Sequence, residues 1–262
     1  MKCFLAAAFW FSLVWTPLYA ATTDAEMLRI QSDIQAGNIA SAEHALNAAM
    51  KADPRNGGLY NLRGIIEANR NQMTSAEMSF GRAIDLSPNL IGAYLNFGRT
   101  CEILGERDPA ALDRAIRRFR SLLATQPGAN EVRVQLAKLL TKQKQYSASL
   151  SELDQLPVDV RAGELAQSLR KENLHQLIAS YQQREQWAEA RKEAEALALL
   201  EPKQTAPLLE LARIAQRQND LRGALGYLAH ARTLEPESAP VHFFFGVVCI
   251  ELDLPFEAKK SL

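Results

Sequence analysis

Residues 58–89 read GLYNLRGIIEANRNQMTSAEMSFGRAIDLSPN, and this stretch decides the fold. Ala76, Phe80 and Ala83 fall four and three residues apart, so they share one face of a helix. Pro88, twelve residues after Ala76, ends that helix, because proline lacks an amide hydrogen and clashes with the preceding turn. Upstream, Tyr60-Asn61-Leu62-Arg63-Gly64 belongs to a second helical pattern that closes on a small residue, and a short polar turn separates the two. The unit is helix, turn, helix.

The same unit recurs along the chain. A small residue appears in phase at Ala42, Ala76, Ala115, Ser149, Ala190, Ala224 and Ala258, with gaps of 34, 39, 34, 41, 34 and 34. Four residues later come Leu46, Phe80, Phe119, Leu153, Ala194, Leu228 and Leu262, and three further on Ala49, Ala83, Leu122, Leu156, Leu197 and Ala231. The proline recurs as Pro54, Pro88, Pro127, Pro202 and Pro236, while the fourth repeat carries Arg161 in its place. A small residue at the beat lets another helix approach closely. A hairpin of this size cannot bury its apolar face alone, so the pattern predicts an all-α array in which each unit needs its neighbours.

A period near 34 with this order of small, aromatic and proline positions resembles the tetratricopeptide repeat (TPR) family, from about Thr23 to Leu262. The resemblance implies an α-solenoid of helical hairpins in a right-handed superhelix. The repeats are read as 23–56, 57–90, 91–129, 130–163, 171–204 and 205–238, with a partial seventh at 239–262. Two departures stand out. Five extra residues around Gly105–Asp113 are expected to lengthen the turn of the third repeat, and seven near Pro157–Arg170 predict a following helix about two turns longer.

The N-terminus differs. Met1-Lys2, an apolar run from Cys3 to Trp15, and Thr16-Pro17-Leu18-Tyr19-Ala20-Ala21 read as a signal peptide over residues 1–20, with an uncleaved membrane anchor as the alternative. Export, most naturally to a bacterial periplasm, is the expectation, with no membrane contact after cleavage. Thr23 and Glu26 form a capping box at the first helix. At the other end the chain stops at Leu262, inside the second helix of its last repeat, so either a longer chain or a partner covering this end is expected.

Charge and motifs exclude several functions. Thirty basic residues balance 30 acidic ones, against the basic excess of a nucleic-acid binder. The sequence has no phosphate-binding glycine loop, no Gly-x-Ser-x-Gly elbow and no His-Glu-x-x-His, so no catalytic residue, cofactor or metal is assigned. Its four histidines, His44, His175, His230 and His242, fall at different places within their repeats, and no two are spaced as helical metal ligands. Cys101 and Cys249 sit four repeats apart, too far for a disulfide, and read as buried small residues. Trp187 matches the family's aromatic beside the turn, where it packs the hairpin.

In TPR proteins the first helix of each repeat lines a concave groove. Carried over, this places Asn61, Leu95, Val134, His175, Leu209 and Phe243 in one row, and Arg99, Lys138 and Arg213 one turn further on, followed by Lys142 and Arg217. The expected ligand is an extended or helical protein segment with acidic residues, since apolar contacts supply affinity and fixed cations select sign and register. Ordinary solvated lysines and arginines with glutamate partners nearby would look the same in sequence. The family's clamp for chaperone tails is not expected, because its first-repeat places hold Asn61 and Ile65. The chain therefore reads as a non-catalytic interaction scaffold, or as the recruiting arm of a longer protein with a catalytic, secretion or envelope-assembly domain downstream.

Overall fold

The structure, a computed structural model, describes residues 24–261. The expected signal segment, Thr23 of the capping box and Leu262 lie outside the described residues. Among those described there are fifteen α-helices and no strand.

The helices come in pairs. α1 (Asp24–Gln35) and α2 (Ile39–Ala52) are followed by α3 (Gly57–Asn69) and α4 (Met73–Leu86), then α5 (Ile91–Leu104) and α6 (Ala110–Thr125). α7 (Asn130–Lys142) pairs with the short α8 (Tyr146–Asp154), after which one turn, α9 (Val158–Arg161), intervenes. Then come α10 (Glu164–Gln183) with α11 (Trp187–Leu200), α12 (Ala206–Arg217) with α13 (Leu221–Leu234), and α14 (Ala239–Glu251) with α15 (Pro255–Ser261). The chain divides into two compact units, up to Thr100 and from Cys101. Each unit is built of these hairpins, the architecture of an α-solenoid.

The repeated positions are where the packing lies. All seven beat residues are buried, and so are Leu46, Phe80, Phe119, Leu153, Ala194 and Leu228 one turn on. In the first unit Ile30, Ala42, Leu46, Leu59 and Leu62 belong to one core. In the second, Ala190, Ala194 and Leu197 pack with Leu208, Leu211 and Val241, so the core continues from one hairpin into the next. Trp187 is half-buried against that cluster. Helices α2, α4, α6, α11 and α13 all end two residues before the repeated proline.

The turn inside each hairpin has its own signature. Gly37, Asn71, Lys144, Glu185, Asn219 and Asp253 all have φ between 55° and 78°. In each case the next residue's amide reaches back five residues, as Asn38 N–H does to the Asp33 carbonyl at 2.8 Å and Gln186 N–H to the Tyr181 carbonyl at 2.9 Å. This left-handed cap satisfies the last carbonyls of the first helix and reverses the chain in three residues. The side chain of Asp220 then accepts from the Gly223 amide to start α13.

The third hairpin lacks that turn. Its five extra residues only partly lengthen the connection: Gly105–Pro109 is five residues against three elsewhere, and the rest extend α5 to 14 residues and α6 to 16. No residue there has positive φ. Asp108 takes over the capping, accepting from the Ala110 amide at 3.1 Å and from Arg114 at 3.0 Å.

The second departure has a clear cause. α10 begins at Glu164 and runs for 20 residues, while α7 and α12, the first helices of the neighbouring hairpins, have 13 and 12. α8 is correspondingly short, at nine residues. Arg161, standing where proline does elsewhere, donates to the carbonyls of Asp154 and Leu156, both at 2.9 Å, and so closes the end of α8 by hydrogen bonding. Ser149 at the beat is also explained. It donates to the Ala137 carbonyl at 2.8 Å and accepts from Asn173 at 2.8 Å, while Thr141 donates to Asn173 at 2.9 Å. All three side chains are buried, and this arrangement satisfies them together.

Candidate interaction surface

The sequence-derived site residues lie on the first helices of six hairpins, α3, α5, α7, α10, α12 and α14, and are spaced four apart on α5, α7 and α12. In the first unit, Asn61 on α3 accepts from Asn96 on α5 at 3.0 Å, which spends part of its polar capacity within the fold. Leu95 is half-buried and Arg99, one turn on, is exposed.

In the second unit, Val134 and Lys138 of α7 are half-buried and Lys142 is exposed. Both ammonium groups converge on one carboxylate of α5. Lys138 Nζ lies 2.9 Å from Glu102 Oε2, and Lys142 Nζ lies 2.8 Å from Oε1. Burial works to raise the pKa of Glu102, but hydrogen bonds from Lys142 and Lys138 outweigh it and hold the group below its ordinary value. Further along, His175 of α10 is exposed.

The most open chemistry lies on α12 and α14. Leu209 is half-buried, and Arg213 and Arg217 are exposed. Arg213 and Arg217 line a cleft of about 860 Å³ with Gln216, Asn219, Leu221, Phe244 and Glu251. The Arg213 guanidinium sits 5.5 Å from the Phe244 ring centre and 3.3 Å from Glu210. Gln216 donates to Glu251 at 2.6 Å across the two helices. Phe243 is 57% exposed and meets Phe244 edge-to-face, with ring centres 5.6 Å apart. A cleft lined by an aromatic ring and two guanidinium groups can hold an apolar side chain and a carboxylate together.

Glutamate partners beside the cations were an alternative that the sequence left open. Lys138, Lys142 and Arg213 each meet a glutamate, so the basic rows are less positive than their composition implies. Glu102, Glu210, Gln216 and Phe244 were not singled out by the four-residue rows. A seven-residue step, which stays on the same helical face, leads from Leu95 to Glu102 and from Leu209 to Gln216.

The remaining candidates for chemistry are accounted for in the packing. Cys101 and Cys249 are both buried. His242 lies 2.6 Å from the Pro236 carbonyl and 3.3 Å from Ser261 Oγ, which ties α14 to its neighbours. Among the described residues, no group of three or more His, Cys, Asp or Glu could hold a metal, and no helix is long and apolar enough to cross a membrane.

Stacked helical hairpins offering an open face of mixed apolar and charged side chains define an α-solenoid interaction scaffold. Two models described as Tetratricopeptide repeat match the sequence, over residues 27–91 and 107–172. The chain belongs to the tetratricopeptide repeat family. No curated protein matches it. Among solved structures it is similar to a tetratricopeptide repeat protein from Parabacteroides merdae, with 16% identity, a TM-score of 0.51, and 91% of this chain and 90% of that one covered. It is also similar to the C-terminal part of a TPR repeat-containing protein from Cytophaga hutchinsonii, with 11% identity, a TM-score of 0.51, and 90% and 92% covered. At these identities the likeness concerns the fold. Like other members of this family, the chain is a scaffold for protein interactions.

Proposed function

We propose that the chain is a non-catalytic scaffold, working in an exported compartment, that binds segments of partner proteins along the first helices of its hairpins. In the second unit the binding face comprises Val134, Lys138, Lys142, His175, Leu209, Arg213, Arg217 and Phe243. In the first unit, Asn61, Leu95 and Arg99 hold the corresponding places. The preferred segment carries acidic side chains spaced among apolar ones. One observation carries this reading: Phe243 is exposed and packs edge-to-face on Phe244, which lines the α12–α14 cleft with Arg213 and Arg217, whereas the aromatic residues of the repeat pattern, Phe80 and Phe119, are buried.

The test is charge reversal at Arg99→Glu, Lys138→Glu and Arg213→Glu together, with unfolding followed in parallel. Loss of partner binding in a protein that unfolds like wild type supports the reading, and unchanged binding removes it. Export rests on the N-terminal segment alone. An intact mass about 2 kDa below the 29.1 kDa precursor, in protein recovered from its native cells, would support it. An unprocessed mass would argue for the anchor.

A further inference from the structure

The pair of lysines on α7 poses a problem for a face that is to take acidic segments, because a carboxylate already occupies it. Glu102 is only 15% exposed at its side chain, and each of its oxygens receives one ammonium. The cluster still holds two positive charges against one negative, and each ammonium has two further donors beyond the one spent on Glu102. Lysine is a point charge on a flexible stem, so both groups can turn toward a new acceptor without moving the helix.

We infer that Glu102 is an internal stand-in for a partner's carboxylate, which screens Lys138 and Lys142 and sets how strongly this face takes acidic protein segments. This rests on the binding face proposed above. A partner's glutamate or aspartate competes with Glu102 for the two ammonium groups, so affinity at this point is held down by design of the face. The position of the carboxyl below its ordinary pKa agrees, since it keeps Glu102 charged as a competitor at neutral and mildly acidic pH.

The alternative role for Glu102 is to fix the two lysines in place, and it predicts the opposite sign. Glu102→Gln keeps the size and hydrogen-bonding capacity of the side chain and removes its charge. The probe is a fluorescein-labelled peptide of glutamate and leucine, with a glutamine-for-glutamate peptide as the neutral control, followed by anisotropy at about 50 mM salt, where charges are felt over more than 10 Å.

If Glu102 competes, Glu102→Gln binds the acidic peptide about three- to tenfold more tightly than wild type, and the gain shrinks toward nothing near 0.5 M salt. The neutral peptide shows no such gain. If Glu102→Gln binds equally or more weakly while the triple charge reversal abolishes binding, the competitor role is wrong and the binding face stands. If neither wild type nor Glu102→Gln binds the acidic peptide, both fall. Should Glu102→Gln unfold, Glu102→Asp, which keeps the charge but shortens its reach toward both lysines, must still tighten binding by a smaller factor; an unchanged or weaker affinity overturns the inference.

Discussion

Gly64 and Gly226 are both helical glycines, and replacing each by alanine should move stability in opposite directions. Alanine favours a helix over glycine by about 1 kcal/mol. At Gly226 on α13, nothing lies within 4 Å of where a Cβ would stand, so the whole gain is realised. At Gly64 on α3, that Cβ would lie 2.5, 2.6 and 2.8 Å from three carbons of the Phe80 ring. Ordinary contact needs roughly 3.5–4 Å, so the ring must retreat by about 1 Å. Phe80 is 2% exposed on α4, so the ring would have to retreat into the packed core rather than into solvent. Overpacking of this kind costs about 1–3 kcal/mol, which outweighs the propensity gain. Gly226→Ala should therefore gain up to about 1 kcal/mol and Gly64→Ala should lose about 1, a separation of some 2 kcal/mol. Urea unfolding followed by circular dichroism measures both, and the midpoints should order Gly226→Ala above wild type above Gly64→Ala. Gly64→Ala combined with Phe80→Leu should recover part of the loss, since it removes the ring carbons. If Gly64→Ala proves as stable as Gly226→Ala, close packing of the first helix on the second is not what fixes glycine at this point of the repeat.

Three further outcomes follow from named contacts. Arg161→Ala removes the donor to two carbonyls at the end of α8 and should cost about 1–2 kcal/mol, with faster amide exchange confined to Asp154–Gly163; exchange unchanged there would mean the arginine does not close the helix. Glu185→Gly relieves a left-handed backbone (φ 57°) that glycine adopts without strain and should raise stability by about 0.5–1 kcal/mol in thermal or urea unfolding, whereas a loss would contradict the turn geometry. Glu102, held below its ordinary pKa, stabilises the fold above that value and ceases to do so as pH falls through its folded-state pKa, so wild type should lose stability relative to Glu102→Gln from about pH 5 downward. Parallel stability–pH curves would show that its ion pairs do not form.

Much of the fold was legible in the residues because the repeat constrains itself. Ala42 through Ala258 are buried because a close helix crossing admits only small side chains, and that requirement leaves a mark at every period. The early start of α10 was legible for the same reason, since seven extra residues with helical pattern have to go into a helix. The third hairpin was less so: length alone does not say whether five residues enter a turn or extend its helices, and here α5 and α6 absorb some of them. Arg161 was visible only as a missing proline, because a guanidinium closing a helix depends on where the chain folds back. The surface was legible as rows along single helices, which gave Lys138, Lys142, Arg213 and Arg217. Their pairing with Glu102 and Glu210 was not, because it is set by how neighbouring helices lie against one another, and one helix's periodicity does not contain that.

The most direct test of the binding face uses a photo-crosslinking amino acid placed singly at Leu209, at Phe243 and at Leu199, with the protein kept in its native cells. Leu199 is 83% exposed on α11, the second helix of its hairpin, whereas the proposed face is carried by first helices, and it reports chance encounters. The account predicts a discrete crosslinked partner from positions 209 and 243 and none from 199, with the crosslink lost on charge reversal at Arg213. Crosslinking from 199 but from neither 209 nor 243 would place the interaction elsewhere on the molecule.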